Sequence, residues 1–256
     1  MILFDQIIFG PVKSRRLGTS LGINLLPTDA KICSFDCIYC ECGFNTTMKE
    51  SPLPQRRQVQ KALEKKLIEI SEAGDSIDVI TFAGNGEPTL HPQFEPIVAD
   101  TIALRNRYCP DAKVSVLSNA TRIHKPHIIR ALRQVDNNIL KFDSAIESTV
   151  RTLDRPTGRL FNINWLIEQL KKFNGDLIIQ TMFLRGIHEG TIIDNTTEEE
   201  LTAWLSALEE INPREVMIYT IDRETPVKEL EKISIEELTK IAERVQSKGI
   251  RTVVSG

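Results

Sequence analysis

Short runs rich in Ile, Val and Leu recur along this chain, and a helix-like stretch separates each run from the next. The six clearest strand-like runs cover residues 21–26, 78–83, 113–117, 139–142, 177–183 and 215–221, and a weaker run covers 250–254. The helix-like stretches cover residues 58–73, 92–107, 126–135, 162–173, 197–211 and 234–248. The runs are apolar along most of their length, which indicates burial on both faces, as in a parallel sheet covered by helices.

This strand–helix repeat allows two architectures, a doubly wound sheet or a (β/α) barrel. Six good strands and one weak strand are fewer than the eight strands of a closed barrel. The chain contains no Gly- or Ser-rich linker and no low-complexity segment. We therefore predict one domain.

The composition is that of an ordinary globular protein, with 41% hydrophobic and 26% charged residues. A formal net charge of −3 gives no global reason to expect a nucleic-acid partner. No apolar run approaches the length that crosses a bilayer, and Asp5 interrupts the apolar N-terminal stretch too early for a secretory signal. We expect a cytoplasmic protein with no membrane partner.

The five cysteines are unevenly distributed, because four of them fall within residues 33–42 and the fifth is Cys109. An odd number with such crowding is a poor disulfide framework, and a cluster of this kind more often holds a metal or does redox chemistry. We interpret Cys109 as a structural thiol.

Cys33, Cys37 and Cys40 form a C-x3-C-x2-C pattern directly after the first strand-like run. A cubane [4Fe–4S] cluster needs four ligands, so three cysteines leave one iron open to a cofactor or substrate. The alternative is a structural zinc site that takes Cys42 as its fourth ligand. Zinc loops usually pair two cysteines with two distant ligands, and the sequence shows no second Cys or His pair downstream.

The cysteine pattern resembles the signature of the radical S-adenosylmethionine (SAM) superfamily, including the aromatic Tyr39 just before the third cysteine. The resemblance implies a partial, open, TIM-like (β/α)6 barrel, with residues 1–20 as an N-terminal extension and 21–256 as the barrel. It also implies that Cys33, Cys37 and Cys40 hold a [4Fe–4S] cluster whose open iron binds SAM. Reduction of the cluster would cleave SAM to methionine and a 5′-deoxyadenosyl radical, which abstracts hydrogen from an unidentified substrate. A small flavodoxin- or ferredoxin-type protein is the expected electron donor.

Later strand ends extend the resemblance. Residues 84–87 read Gly-Asn-Gly-Glu, which is similar to the Gly-Gly-Glu stretch of the superfamily, and glycines let a backbone approach a ligand closely. In α/β barrels functional groups gather at the C-terminal ends of the strands. The predicted cofactor-binding residues are Tyr39, Gly84, Asn85, Gly86, Glu87, Ser118, Asn119, Asp143 and Gln180.

Structural interpretations of these turns stay open, because glycines and Ser-Asn pairs also occur in strand-to-helix turns that bind nothing. Deeper polar groups are candidates for contact with substrate: Asp143, Gln180, Tyr219, Asp222 and Arg223.

Residues 14–18, 33–43 and 84–90 together resemble a group of iron–sulfur oxidoreductases related to the wyosine-forming tRNA enzyme. That enzyme binds an additional cluster through upstream cysteines, whereas residues 1–32 contain none, so we do not predict a wyosine-type reaction. One alternative function is a glycyl-radical-enzyme activase that acts on a partner protein. Another is a non-catalytic iron–sulfur or zinc module. The substrate class, whether small molecule, RNA or protein, stays open.

Overall fold

The computed structural model describes residues 2–46, 52–158 and 161–256. Its main sheet curls into an open barrel. The strands, in chain order, are β1 (Ile8–Ser14), β2 (Gly18–Ile23), β3 (Val79–Phe82), β4 (Lys113–Ser118), β5 (Asn137–Lys141), β6 (Ile178–His188), β7 (Thr191–Asp194), β8 (Glu215–Thr220), β9 (Leu230–Lys232) and β10 (Arg251–Ser255). The helices are α1 (Arg56–Ala73), α2 (Phe94–Tyr108), α3 (Pro126–Leu132), α4 (Glu147–Leu153), α5 (Ile163–Lys171), α6 (Glu198–Ile211) and α7 (Ile235–Gln246).

The strand order distinguishes between the two predicted architectures. The order is β1-β2-β3-β4-β5-β6-β8-β10, and every neighbouring pair from β2 to β10 is parallel. A doubly wound sheet reverses its order at a switch point, whereas this sheet advances in one direction, which places its crossover helices on one face. The predicted open α/β barrel is therefore confirmed.

The two faces of the strands differ in polarity because successive side chains point to opposite sides. Outward-facing residues such as Ile80, Leu140 and Ile179 are fully buried and belong to the main hydrophobic core. The concave face, which we call the lumen, carries polar side chains such as Thr81 and Gln180. Both faces are buried, as expected, and the lumen combines these polar side chains with apolar ones such as Ile139 and Ile178.

The sequence predicted the seven parallel strands, including the weak last one, within a few residues of their observed bounds. Strand β1 was not predicted, and it pairs antiparallel with β2 inside the segment expected to be an extension. Its sequence includes Gly10, Pro11 and Lys13, so it lacks an apolar pattern. The short strands β7 and β9, which pair with the outer half of β6, and the short helix α4 were also not predicted.

The parallel arrangement brings the C-terminal ends of β2, β3, β4 and β5 to the same rim of the barrel. The loops that follow these strands carry the cysteines, the Gly-Asn-Gly-Glu turn, Ser118–Asn119 and Asp143. In the described part of the chain, no helix is long and apolar enough to cross a membrane.

Candidate active site

The cysteine loop, residues 33–43, lies on the rim between the ends of β2 and β3. Its entry is fixed by Ile32, whose N–H donates to the Asn85 carbonyl at 2.9 Å. The Ile32 carbonyl accepts from the Glu87 N–H at 3.0 Å, so Ile32 and Gly86 form a parallel bridge. The loop is thereby connected to the turn after β3.

That turn, residues 84–87, is called the glycine turn below. Gly84 and Gly86 have φ angles of 139° and 134°, which residues with a Cβ rarely adopt. A Cβ on Gly86 would lie 1.8 Å from the Ile32 carbonyl oxygen. Gly86 is therefore required for the contact between the turn and the entry of the cysteine loop, whereas a Cβ on Gly84 would clash with Asn24.

Asn85, a predicted cofactor contact, is fully buried and its side chain is hydrogen-bonded to the protein's own backbone. Its Oδ1 accepts from the Phe4 N–H at 2.9 Å, and its Nδ2 donates to the carbonyls of Phe4 and Pro27 at 2.9 and 2.8 Å. The asparagine, where the superfamily pattern has a second glycine, anchors the N-terminal segment.

Glu87 is also buried, and its carboxylate faces inward. Oε1 accepts from the Thr89 N–H at 3.0 Å, the Thr89 hydroxyl at 2.6 Å and the Ser118 hydroxyl at 2.8 Å, while Oε2 accepts from the Asn119 N–H at 2.7 Å. Burial raises the pKa of Glu87, and these hydrogen bonds oppose that shift. Glu87 thus joins the glycine turn to the end of β4.

Asn119 reaches the cysteine loop directly. Its Nδ2 lies 3.4 Å from the Cys33 sulfur and 2.9 Å from the Ser34 hydroxyl oxygen. Its Oδ1 accepts from the Thr121 N–H and hydroxyl at 3.1 and 2.8 Å. The predicted residues Glu87, Ser118 and Asn119 therefore form one continuous network that ends at Cys33.

The other side of the cysteine loop contacts charged residues. The Tyr39 hydroxyl donates to Asp143 Oδ2 and lies 3.0 Å from Asp154 Oδ1. Lys141 Nζ donates to the Tyr39 oxygen and pairs with Asp143 at 3.2 Å, and Asp143 Oδ1 accepts from the Met182 N–H at 3.0 Å. Burial and the Asp143 charge raise the pKa of Asp154 to about 8.

Lys141 is the cation among these acidic side chains, and it pairs with Asp143. Burial is the largest influence and opposes its charge, but Asp143, together with the neighbouring acidic groups, outweighs burial and raises the pKa of Lys141 well above its ordinary value. Lys141 and Asp143 thus form a buried ion pair beside Tyr39.

The cysteines differ in acidity. Burial, with the Glu87 charge adding to it, raises the pKa of Cys33 to about 12, and burial raises the pKa of Cys37 well above its ordinary value. A hydrogen bond from Cys42 lowers the pKa of Cys40 to about 6. Metals bind thiolates, so a metal bound here displaces protons from Cys33 and Cys37.

A buried cation lies behind the loop. The Lys31 residue is only 2% exposed, and its Nζ donates to the Gly43 carbonyl at 2.6 Å and lies 3.6 Å from Asp36 Oδ1. Burial disfavours its charge, yet the cysteines and Asp36 raise the pKa of Lys31. Its charge favours the thiolate state of the loop.

The cysteine loop carries the type of donor that an iron–sulfur cluster uses. A cubane cluster distributes its thiolate ligands over separate irons, and Cys33, Cys37 and Cys40 offer three thiols on one loop of the rim. The residues present therefore fit such a cluster. Within residues 2–46, 52–158 and 161–256, no three Cys, His, Asp or Glu side chains converge on a single ion position.

A cavity of about 630 Å³ opens beside Cys33. Its lining includes Ser34 and Thr121 as polar groups, with Phe161 and Trp165 on the apolar side. This volume and mixed lining are typical of small-molecule sites.

Three of the deeper candidates do not contact the three cysteines, although Arg223 reaches Glu41 in the same loop. Gln180 is in the lumen, where its Oε1 accepts from Arg16 Nη1 at 3.0 Å. Asp222 pairs with Arg15 at 3.4 Å, and Arg223 pairs with Glu41 at 2.9 Å. Gln180 therefore lies inside the lumen, whereas Asp222 and Arg223 are exposed at its edge.

Four functional candidates were not predicted: Arg16, Lys31, Lys141 and Asp154. Lys141 ends an apolar strand and was interpreted as part of it, although its position in β5, two residues after Ile139, places it on the lumen face. Asp154 follows a helix that was not predicted. For Lys31, no sequence pattern signalled its burial.

Comparison with curated proteins finds relatives along most of the chain. It is 31% identical over 242 residues to a UPF0026 protein of Helicobacter pylori, an alignment that covers 91% of this chain and 72% of the relative. It is 30% identical over 239 residues to a protein named GTPase Obg of Brachyspira hyodysenteriae, covering 91% of this chain but only 32% of that longer protein.

Solved structures share the fold at low sequence identity. A radical SAM methyltransferase from Sphaerobacter thermophilus superposes with a TM-score of 0.67 at 14% identity, covering 92% of this chain and 65% of that one. TYW1 with a lysine-pyruvate adduct bound gives a TM-score of 0.60 at 12% identity, covering 90% and 74%.

The family assignment comes from the sequence itself. Residues 29–195 match the radical SAM superfamily, and this span contains the cysteine loop, the glycine turn and the Tyr39 network. The protein belongs to the radical SAM superfamily.

Proposed function

We propose that this protein binds a [4Fe–4S] cluster through Cys33, Cys37 and Cys40, binds SAM at the open iron and cleaves it reductively. One observation carries the proposal: three cysteines lie on one rim loop, packed against a glycine turn that admits no side chain at Gly86. When bound, the cluster and SAM supply a 5′-deoxyadenosyl radical for hydrogen abstraction.

The chain's own residues prepare the loop for this role. Lys31 places a buried positive charge behind the cysteines, and Asn119 directs an N–H at Cys33. Both interactions favour thiolate over thiol and add to the metal-binding strength of the loop.

The neighbouring polar groups support a cofactor site at the same rim. Ser34, Asn119 and Thr121 offer hydroxyl and amide groups beside Cys33, and the adjoining cavity has the volume of a small-molecule site. Gly84 and Gly86 are half-buried, so the turn's backbone is partly accessible to a ligand. In this proposal Glu87 acts by holding Ser118 and Asn119 in place.

Reduction of the cluster requires an external electron, and we propose a small flavodoxin- or ferredoxin-type protein as its source.

The test is anaerobic. The protein is reconstituted with iron and sulfide, reduced with dithionite and supplied with SAM, and 5′-deoxyadenosine and methionine are measured by chromatography. We expect both products from the wild type and from Cys109→Ala, and neither from Cys37→Ala. A reduced, intact cluster that yields no 5′-deoxyadenosine would contradict the proposal.

A further inference from the structure

The turn between β1 and β2 enters the lumen and carries two adjacent arginines. Ser14 Oγ accepts from the N–H groups of Arg16 and Leu17 at 3.3 and 3.2 Å, which fixes the turn. Leu17 packs against an apolar layer formed by Leu117, Ile139, Ile178 and Met217. The leucine thus closes the lower part of the lumen and orients the arginine before it.

The Arg16 side chain is held in place by two lumen residues. Its guanidinium carbon lies 4.1 Å from the centre of the Tyr219 ring, and its Nη1 donates to Gln180 at 3.0 Å. A guanidinium has more N–H donors than this one bond uses. Stacking and one hydrogen bond orient the Arg16 guanidinium and leave some of its N–H donors available to a ligand.

Arg16 differs from its neighbours in having no acidic partner. Arg15 pairs with Asp222 and Arg223 pairs with Glu41, but in the described ranges no carboxylate pairs with Arg16. The three arginines, Arg15, Arg16 and Arg223, line one cavity of about 300 Å³. That cavity is bordered by four basic side chains and two acidic ones, so it has a net positive lining.

Arg16 is connected to the cysteine loop through a series of neighbouring side chains. The hydroxyl of Tyr219, whose ring lies under the Arg16 guanidinium, is close enough to Lys141 for the lysine charge to act on it. Lys141 is paired in register with Gln180 and donates to Tyr39, which lies between Cys37 and Cys40. A ligand bound by Arg16 is therefore a few side chains from the place where the proposed radical forms.

We infer that Arg16 binds the oxyanion of the substrate, a small organic molecule that carries a carboxylate or a phosphate. A guanidinium binds either group with paired N–H donors, which a lysine cannot reproduce. The cavity volume fits a small molecule, and Phe4, Phe9 and Leu17 provide an apolar wall for its carbon skeleton. This inference rests on the proposed function.

The test uses the reconstituted protein labelled with ¹⁵N-arginine and follows the side-chain Nε–Hε signals by NMR. Inorganic phosphate and sodium acetate are the probes, each titrated against chloride at constant ionic strength. The Arg16 signal is the one missing from Arg16→Lys, and Arg16→Gln provides the same assignment if the lysine variant does not fold. We expect this signal to shift saturably, with half-saturation at about 1 to 10 mM for at least one probe.

The two probes distinguish the substrate classes, because the anion with the lower half-saturation identifies carboxylate or phosphate. Arg130→Lys, which changes an exposed arginine paired with Glu95, should leave the Arg16 titration unchanged. If neither probe shifts the Arg16 signal more than chloride does, or if all arginine signals shift alike, the inference is wrong. The titration does not require SAM cleavage, so its failure is distinguishable from failure of the proposed function.

Discussion

The two sides of the cysteine loop are supported in different ways. Toward β3 and β4, the contacts run through backbone groups, hydroxyls and amides around the single carboxylate of Glu87, which accepts four hydrogen bonds. Toward β5 and α4, the contacts are charged or acidic: Lys141, Asp143 and Asp154 surround the Tyr39 hydroxyl.

This difference separates two tasks. Many short hydrogen bonds to fixed backbone groups define positions, so the β3–β4 side holds the loop and the glycine turn in register. Buried charges set local electrostatics and are costly when unpaired, so the β5 side controls the charge around Cys37 and Tyr39.

Both sides support the cysteine loop, and replacing Cys37 with Ser removes a proposed cluster ligand from it. This change gives the largest expected effect. We expect loss of the cluster and of all 5′-deoxyadenosine formation, because a missing thiolate removes one of three protein ligands. Iron and sulfide analysis with the visible absorption spectrum measures the first effect. Cys109→Ser, at a half-buried cysteine outside the loop, is the matched control and should keep a full cluster.

Replacing Lys141 with Met breaks the charged side. The change leaves the buried Asp143 carboxylate without its cation, which should lower the free energy of unfolding by about 3 to 5 kcal/mol. Urea denaturation at neutral pH measures it, with Lys240→Met at an exposed helix position as the control. A loss no larger than that of the control would show that Lys141 does not compensate this charge.

Replacing Glu87 with Gln disrupts the side of the cysteine loop that faces β3 and β4. The NH2 group of glutamine is itself a donor and would face the N–H and O–H groups that donate to Glu87. One or two buried hydrogen bonds are therefore lost, which lowers the free energy of unfolding by about 1 to 3 kcal/mol. We expect a normal iron content together with weaker SAM binding, measured by equilibrium dialysis. Glu95→Gln, at a partly buried carboxylate paired with the exposed Arg130, should change neither quantity. Unaltered SAM affinity in Glu87→Gln would contradict the positioning role of Glu87.

The smallest effect is a pH dependence at His91, which ends the short helical turn after Glu87. Burial lowers its pKa, and its Nδ1 accepts from the Gln93 N–H at 3.1 Å while Nε2 lies 2.9 Å from the Pro54 carbonyl. As the pH falls below about 6.5, the unfolded chain takes up a proton before the folded protein does, so stability declines. Urea midpoints at pH 7.5 and 5.5 should differ less in His91→Asn than in the wild type. If the urea midpoint changes by the same amount between these pH values in both proteins, His91 does not contribute to the pH dependence of stability.

The sequence predicted the parts of this comparison that depend on strand order. Because parallel strands end at one rim, the cysteines, Glu87, Ser118 and Asn119 could be expected to meet, and they do. Glycine's backbone freedom at residues 84 and 86 was also readable, since few other residues adopt those φ angles.

Side-chain direction and unpredicted elements account for the rest. The glycines on either side of Asn85 turn its side chain toward Phe4, which no spacing rule reveals. Arg16 reaches the lumen only because β1 and β2 form a hairpin, and β1 has no apolar pattern. Asp154 contacts Tyr39 because α4 ends there, and that helix is too short to produce a clear period.

The open iron is the central claim, and Cys42 gives it its sharpest test. Cys42 lies beside Cys40, 3.4 Å from the Gly84 carbonyl, and a fourth thiolate ligand would close the cluster to SAM. The measurement is the electron paramagnetic resonance spectrum of the reduced cluster, with and without SAM, in the wild type and in Cys42→Ser. The account predicts a spectrum that changes on addition of SAM in both proteins. A wild-type spectrum that does not respond to SAM, together with a response in Cys42→Ser, would show that Cys42 closes the cluster and would contradict it.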